Sequence, residues 1–398
     1  EFFSKNGYVT ISSGKIFHKH VVPGGQDQGQ WAFDIWEQEK GNNKPRRDKL
    51  TSRTEGLLDG VKMEDQKYTG YVGADFAWGP TISPIEETTD YRTAKWFSGQ
   101  LQNDFDKPFF MAVGIAKPHL PWHVPQEFFD MYNLDSVKIS EYKLDDLDDI
   151  LTPSGEKKFS ATEDFLWVSQ DERLFKGAVR AYLASTSYVD YCVGIILDAL
   201  ENSKYKDNTI VVIWGDHGWH LGEKLRFRKV TLWSESTRMP LIIRTPGMNS
   251  SSNCDRIVNL IDIYPTLIEL CGFPERDVLD GRSFVPLLKN PEKKWPYPSI
   301  TTQAPGSYTV NDENYRYTRY NDGTEELYDL NSDPMEWTNL IMLNDNKANK
   351  AKVKLGKWMP LTSAPDLPSN TTVDSDKETE GKGPMKEFDK IRPLNELK

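Results

Sequence analysis

The amino-acid sequence predicts an α/β protein in which a large, mostly parallel β-sheet lies between helices, followed by a small C-terminal antiparallel sheet with a helix. Short apolar runs end at glycine, proline or aspartate, and they alternate with segments of helical apolar spacing. Near Pro291 the pattern changes to short strands separated by turn signals. Strands that are apolar on both faces and alternate with helices are typical of a parallel sheet covered on both sides.

The first part of the chain supplies the elements of the parallel sheet. Residues 1–18 have the pattern of a helix end, a turn and a strand, so we expect the chain to begin inside a domain. The run "KPFFMAVGIA" is a buried strand that prolines terminate, and "TIVVIW" and "MPLIIRTPG" are two further buried strands. Helical spacing predicts a helix of about eight turns over 173–201 and a second helix that ends at Gly272.

The last third of the chain predicts a different arrangement. Residues 297–330 contain short polar–apolar strands with turns at "APG" and "NDG", which indicates an antiparallel sheet, and "NDNKANKAKVKLGKWM" has the pattern of a helix. From Thr362 onward the chain is rich in polar residues and has no apolar period. We therefore expect a core domain at 1–293, incomplete at its N-terminus, a small C-terminal subdomain at 294–361, and a polar tail at 362–398.

Composition excludes several classes of protein. A net charge of −11 argues against a nucleic-acid partner, which would favour a basic face. No apolar run approaches the ~20 residues of a membrane-spanning helix. Three cysteines, without a Cys-x-x-Cys pair, exclude a disulfide scaffold and argue against a thiolate zinc site, and they leave open whether Cys254 and Cys271 pair.

The six histidines fall into three close pairs, each of which follows an apolar strand. The pairs lie in "GKIFHKH" (His18 and His20), "KPHLPWH" (His119 and His123) and "GDHGWH" (His217 and His220). Because loops that follow the carboxyl ends of parallel strands form the ligand crevice of such a sheet, we expect these loops to meet over one anion pocket. Each pair alone is also compatible with a structural role, and Asp-His before Gly can form an Asx-turn.

Lysines accompany the histidines. Lys15 precedes His18, Lys117 precedes His119, and Lys229 follows the Asp216–His217 pair. A carboxylate for a metal ion, lysines for a tetrahedral anion and histidines for proton transfer suit the hydrolysis of a sulfate or phosphate ester. A solvated surface lysine is the ordinary alternative for each position.

Taken together, these segments resemble the type I sulfatases of the alkaline-phosphatase-like superfamily, and most closely the iduronate-2-sulfatase branch. The resemblance covers most of residues 1–345 and rests on seven segments: "GYVTISSGKIFH", "FFMAVGIAKPHLPWHVPQEF", "AYLASTSYVDYCVGIILDAL", "DHGWHLGE", "RKVTLWSESTRMPLIIRTPG", "DGRSFVPLL" and "ELYDLNSDPMEWTNL". It implies a sulfuric ester hydrolase that acts on a sulfated sugar, such as a glycosaminoglycan or an algal glycan. It also implies an exported protein, whether periplasmic, secreted or lysosomal.

The resemblance assigns roles residue by residue. Asp216 and His217 match two calcium ligands. Lys15 and His18 match the residues that hold the sulfate and the catalytic hydrate. Three further matches are His119, which would protonate the leaving alcohol, Lys229, the second sulfate-binding lysine, and Trp219, an aromatic on the substrate side whose alternative role is packing.

The sequence departs from the family pattern at the nucleophile. No Cys-x-Pro-x-Arg or Ser-x-Pro-x-Arg motif is present, so formylglycine and the first two calcium ligands are expected upstream of residue 1. We therefore expect residues 1–398 alone to be inactive. The alternatives are a phosphonate or phosphate ester hydrolase of the same superfamily, and a non-catalytic protein that binds sulfated glycans. The oligomeric state remains open.

Overall fold

The computed structural model describes residues 2–17, 33–36, 57–58, 61–62, 76, 78–81, 84–248, 251–343 and 345–361. Two compact units can be distinguished, and each is described by itself. Of the described residues, the first contains those up to 139 and 167–209, and the second contains those at 140–166 and 210–361. The domain boundaries expected at 293 and 361 stay a prediction, and the tail at 362–398 lies outside the described residues.

The first unit contains a parallel sheet. Its described elements are α1 (Phe2–Lys5), β1 (Val9–Gly14), β2 (Ile35–Trp36), β3 (Leu57–Leu58), β4 (Val61–Lys62), β5 (Trp78–Thr81), α2 (Thr89–Gln100), β6 (Phe109–Gly114), β7 (Trp122–Pro125), α3 (Gln126–Asp130) and, after α4 (Glu163–Val168), α5 (Glu172–Glu201). Strand β1 pairs in parallel with both β2 and β6, and β5 pairs in parallel with β7. The predicted strand at 107–116 and helix at 173–201 are thus present as β6 and α5.

Helix α5 is the long core helix of this unit. Its N-terminus is capped by Asp171, whose side chain accepts hydrogen bonds from Arg173 N and Leu174 N. By length and composition it could also cross a membrane. This is weak evidence for a membrane span, because core helices of soluble proteins meet the same test. Ser98 Oγ of α2 donates to Ile195 O, and Tyr188 OH contacts α2, so α5 packs against a neighbouring helix.

The second unit combines two short strand pairs with a four-stranded sheet. Its elements are β8 (Val211–Trp214), β9 (His220–Leu221), β10 (Phe227–Arg228), α6 (Ser234–Thr237), β11 (Leu241–Arg244), α7 (Ile263–Leu270), α8 (Val285–Lys289), β12 (Ser299–Ala304), β13 (Ser307–Asn311), β14 (Tyr315–Arg319), β15 (Glu325–Asp329) and α9 (Asn346–Gly356). Strands β12 to β15 pair in sequence order, all antiparallel. The predicted C-terminal antiparallel sheet and its helix are confirmed.

The pairing of β8 with β11 departs from the simple expectation of parallel strands. Both predicted strands form, but they pair antiparallel, with Trp214 opposite Leu241. The connection between them, residues 215–240, contains a short hairpin and the four-residue α6, and it has no long crossover helix of the kind that usually joins parallel strands. Helices accompany both the parallel strands of the first unit and this antiparallel pair, so the α/β fold class is unchanged.

Candidate functional site

In the first unit, Lys15 and the His119 loop follow the ends of two neighbouring strands. Strands β1 and β6 are in register along their whole length, and Gly14 lies opposite Gly114 at their carboxyl ends. Lys15 N donates to Gly114 O at 2.8 Å. A Cβ atom on Gly114 would lie 2.1 Å from Lys15 O, so only glycine allows the two chains to approach this closely. The structure thus brings Lys15 and the start of the loop to one edge of the sheet, as parallel strand ends require.

Hydrogen bonds between residues of the same loop hold the loop that carries His119. Lys117 Nζ donates to Pro121 O at 2.5 Å, and Trp122 Nε1 donates to Pro118 O at 2.7 Å. His119 Nδ1 lies 2.8 Å from Leu120 O, which can only accept, so Nδ1 carries the proton. The other ring nitrogen, Nε2, is therefore the atom through which His119 can exchange a proton.

A buried carboxylate outside the loop also holds it. Asp90, in the first turn of α2, is 5% exposed. Its Oδ1 accepts from Ala116 N at 2.8 Å and its Oδ2 accepts from Lys117 N at 2.9 Å. Burial raises the pKa of Asp90, while these two hydrogen bonds and the charges of Lys117 and Lys15 oppose the rise. The sequence did not indicate this residue, because an aspartate in the first turn of a helix ordinarily serves its own helix.

His18, His20 and His123 are the other histidines among the first 139 residues. His18 and its neighbour His20 lie outside the described residues, so the role of His18 stays a prediction. His123 lies on β7 and is buried, and its Nδ1 is 3.1 Å from Gly79 O on β5. This position inside a strand pair favours a structural role for His123.

In the second unit, Asp216 and His217 follow the end of β8. The Asp216 side chain is 72% exposed, and His217 Nε2 lies 3.7 Å from its Oδ1. His217 Nδ1 donates to Gly218 O at 2.8 Å, which makes Nε2 the nitrogen that can act as a ligand. Gly218 N donates to Ser236 O at 2.8 Å, and a Cβ atom on Gly218 would lie 1.9 Å from Glu235 O. The turn is thus held tightly against α6.

The chemistry of this pair fits part of a calcium site. Calcium takes six to eight oxygen ligands, so the Asp216 carboxylate fits it, and the resemblance adds the neighbouring imidazole of His217 as a nitrogen ligand. Among the residues that the structure describes, no group of three or more His, Cys, Asp and Glu residues could hold a metal ion. Asp216 and His217 therefore fit the metal as partial ligands.

Lys229 follows the short β9–β10 hairpin, in which Arg228 lies opposite His220. The lysine is half-buried, and both of its neighbours have a left-handed backbone, with φ of 79° at Arg228 and 68° at Val230. Positive φ at a β-branched residue is strained, and such strain persists only where the surroundings fix it. Here Arg228 pairs with buried Asp164, and Val230 O accepts from Gln303 Nε2 at 2.6 Å.

The two rings beside Asp216 and His217 have different surroundings. Trp219 is half-buried, with its ring centroid 6.2 Å from that of His217. His220 is fully buried, and its Nε2 lies 2.7 Å from Thr231 Oγ1. Burial lowers the pKa of His220 well below its ordinary value, so this ring is neutral and its role is structural.

Buried carboxylates hold the segment around Lys229, and the sequence did not indicate them either. Glu336 accepts from Ser234 N at 3.1 Å, Ser234 Oγ at 2.9 Å and Arg316 Nε at 2.5 Å. Lys224 Nζ donates to Glu336 O and to Asp146 Oδ1. The segment after β9 is thus attached to the four-stranded sheet by ion pairs and hydrogen bonds between buried groups.

Cys192 lacks the surroundings of a reactive thiol. All three cysteines are unpaired in the structure, and Cys192 is buried on α5. Burial raises the pKa of the Cys192 thiol to about 12, so it stays protonated.

Comparison with known proteins gives two family matches. The family described as Sulfatase matches residues 1–273, and the family described as N-sulphoglucosamine sulphohydrolase, C-terminal, matches residues 215–360. A sulfatase of Formosa agariphila is 35% identical over 379 residues, which cover 94% of this chain and 71% of that protein. The iduronate 2-sulfatase of Mus musculus is 26% identical over 314 residues, which cover 69% of this chain and 54% of that protein. The chain thus spans only part of the length of these relatives.

Solved structures show the same fold. BT4656, solved in complex with its substrate D-glucosamine-2-N,6-O-disulfate, matches with a TM-score of 0.60 and 20% identity, covering 89% of this chain and 79% of that one. The phosphonate monoester hydrolase SpPMH of Silicibacter pomeroyi matches with a TM-score of 0.67 and 18% identity, covering 89% of this chain and 78% of that one. At these identities the similarity shows the fold alone, and it confirms the alkaline-phosphatase-like architecture predicted from the sequence.

Proposed function

We propose, from the premise that this chain belongs to the sulfatase family, that the intact protein hydrolyses sulfate esters of a sulfated sugar or polysaccharide. The observation that carries the proposal is the register of β1 and β6, which places Lys15 and the start of the His119 loop at one sheet edge. An ammonium group and an imidazole with a fixed tautomer are the groups that an anionic ester and its leaving alcohol require.

His119 would act as the general acid. Its Nδ1 is held by Leu120 O, so protonation at Nε2 gives an imidazolium that can donate to a leaving sugar oxygen. Lys15 and Lys229 would neutralise the sulfate oxygens, and His18 would act beside Lys15. We assign all four residues to the same reaction.

Asp216 and His217 would hold calcium together with other ligands. Calcium, when bound, would supply positive charge beside the sulfate oxygens. Formylglycine would supply the attacking oxygen. It stays a prediction that formylglycine and two calcium ligands lie upstream of residue 1. It also stays a prediction that residues 1–398 alone are inactive. An exported location belongs to the same proposal.

The substrate class is supported by the names of the relatives. They include an iduronate 2-sulfatase, and one fold neighbour was solved with a disulfated glucosamine. A half-buried indole such as Trp219 can stack on the apolar face of a sugar ring. We therefore assign Trp219 to the sugar rather than to the sulfate.

The test is turnover by the intact protein. Sulfate release from 4-nitrocatechol sulfate and from sulfated disaccharides is measured beside hydrolysis of an aryl phosphonate monoester. Lys229→Met should lower kcat/KM for sulfate esters by about 10²–10³, as does loss of one contact to a developing anion. Lys347→Met is the matched control, because the Lys347 side chain is 75% exposed, and it should change nothing.

Two results would contradict the proposal. Faster hydrolysis of the phosphonate ester than of every sulfate ester would favour the phosphonate hydrolase class, and glycan binding without turnover would favour a binding protein. For Trp219→Ala we expect a higher KM for disaccharides and an unchanged KM for 4-nitrocatechol sulfate. Equal effects on both substrates would refute the assignment of Trp219 to the sugar.

A further inference from the structure

Asp90 directs its whole carboxylate at a neighbouring segment of the chain. Its two oxygens accept from two consecutive backbone N–H groups, those of Ala116 and Lys117, at 2.8 and 2.9 Å. The next residue, Pro118, has no N–H, so these two amides are the last donors of the backbone before His119. An ionised carboxylate that accepts two backbone hydrogen bonds holds a loop more strongly than neutral groups would.

The start of helix α2, which carries Asp90, is itself fixed. Tyr188 OH on α5 lies 2.5 Å from Thr88 Oγ1 and accepts from Tyr91 N at 3.0 Å. On the other side, a Cβ atom on Gly14 would lie 2.8 Å from Thr93 Cγ2, so α2 packs directly against the end of β1. Asp90 therefore connects a rigidly held helix end to the loop that follows β6.

The Asp90 carboxylate also affects the net charge at the sheet edge where Lys15 and Lys117 lie. Lys117 and Lys15 are two cations whose charges favour its ionised form. One buried carboxylate thus offsets part of the charge of two lysines at the same sheet edge. Its removal would leave the ammonium groups in place and release the loop.

We propose that Asp90 is a positioning residue that fixes the Lys117–His119 loop for proton transfer by His119. The inference rests on the proposed function, since it assigns Asp90 a part in the same reaction. Asp90 itself does not touch the substrate, and it acts through the two backbone amides. Because a displacement near 1 Å can cost about a hundredfold in rate, loss of this support should lower kcat.

The decisive variant is Asp90→Asn in the intact protein. The asparagine has the same shape, but its amide NH₂ would face a backbone N–H, so one hydrogen bond is lost along with the charge. We expect kcat for a sulfate ester to fall at least about tenfold. KM should not rise, because the lysines lose a counter-charge and keep their affinity for anions. Hydrogen–deuterium exchange in peptides covering residues 114–120 should become faster.

Two further variants keep the test informative if Asp90→Asn folds poorly. Tyr188→Phe removes the hydroxyl that holds the start of α2 and leaves Asp90 intact, so it should accelerate exchange in the same peptides and lower kcat by a smaller factor. Asp104→Asn is the matched control, because it removes the same charge from a side chain that is 88% exposed. It should leave kcat, KM and exchange unchanged.

The outcomes separate this inference from the proposed function. Unchanged exchange at residues 114–120 in Asp90→Asn would overturn the positioning role, and so would a rise in KM with kcat unchanged. A wild-type protein without sulfatase turnover would refute the proposed function, and exchange alone would then decide whether Asp90 holds the loop. Faster exchange together with a lower kcat and an unraised KM supports the proposal.

Discussion

Replacement of Gly114 by alanine tests how closely the ends of β1 and β6 must approach. The added Cβ atom would lie 2.1 Å from Lys15 O, 2.2 Å from Lys15 C and 2.8 Å from Ile16 N. Real Cβ contacts essentially never fall below 3.0 Å, so the strand ends must separate by about 0.9 Å at the closest contact. All three atoms belong to the backbone, and no side chain can rotate away to relieve the contact.

The cost of Gly114→Ala follows from this separation. Overpacking a tightly packed site typically costs about 1–3 kcal/mol, and the free energy of unfolding should fall by that amount. The same separation moves Lys15 away from the loop that carries His119. Since a misplacement near 1 Å can reduce turnover about a hundredfold, kcat/KM for a sulfate ester should fall by a similar factor.

Urea unfolding gives the stability, and sulfate release by the intact protein gives the turnover. Gly99→Ala is the matched control, because Gly99 lies in helix α2 and an added Cβ atom meets nothing within 4 Å. That variant should be as stable as the wild type or more stable by about 0.5–1 kcal/mol. Wild-type stability and turnover in Gly114→Ala would refute the close approach of these strands.

Three further predictions concern the second unit. Asp164→Asn breaks the buried pair with Arg228 and should lower the free energy of unfolding by about 3–5 kcal/mol. Asp148→Asn, in an exposed pair, should lower it by less than about 1 kcal/mol. Equal losses for the two variants in urea titrations would contradict this prediction. Burial raises the pKa of Glu235 from 4.5 to about 7, so its contribution to stability is present below pH 4.5 and is lost as the pH rises toward 7. Glu235→Gln should therefore be more stable than the wild type near pH 8, by up to about 3 kcal/mol, and no more stable near pH 4; a constant difference across this range would refute the pKa shift. Added calcium should raise the thermal midpoint of the intact protein, and Asp216→Ala should reduce that rise. Differential scanning calorimetry with and without EDTA measures the two midpoints. An identical rise in the wild type and the variant would argue against Asp216 as a ligand.

The sequence predicted the elements whose signal is local. The apolar run of β6, the periodicity of α5 and the turns of the C-terminal sheet each depend on neighbouring residues, and each element is present. The antiparallel pairing of β8 with β11 was not predicted, because strands that are apolar on both faces are typical of parallel sheets and led to the opposite expectation. Direction depends on the connection between strands, and here the connection contains no long crossover helix.

The candidate site was predictable to the same extent. Lys15, His119, Asp216 and Lys229 could be selected because each follows a strand or a recognisable motif, and the roles assigned to them stay a proposal. The histidine pairs alone did not distinguish His220 from His217, and the resemblance selected His217. In the structure burial also separates the two, because His220 is fully buried and His217 is half-buried.

Buried carboxylates that hold the functional segments leave no local signal at all. Asp90 is 26 residues from Ala116, and Glu336 is 102 residues from Ser234, so each bond depends on how the chain folds back. Every one of these carboxylates must find its donors inside the protein, because an unpaired buried charge costs several kcal/mol. A loop that is held in this way is therefore fixed only when the rest of its unit is folded. Substitutions at Asp90 and Glu336 should for that reason alter the loops near Lys117 and Ser234 before they alter any residue that meets a substrate.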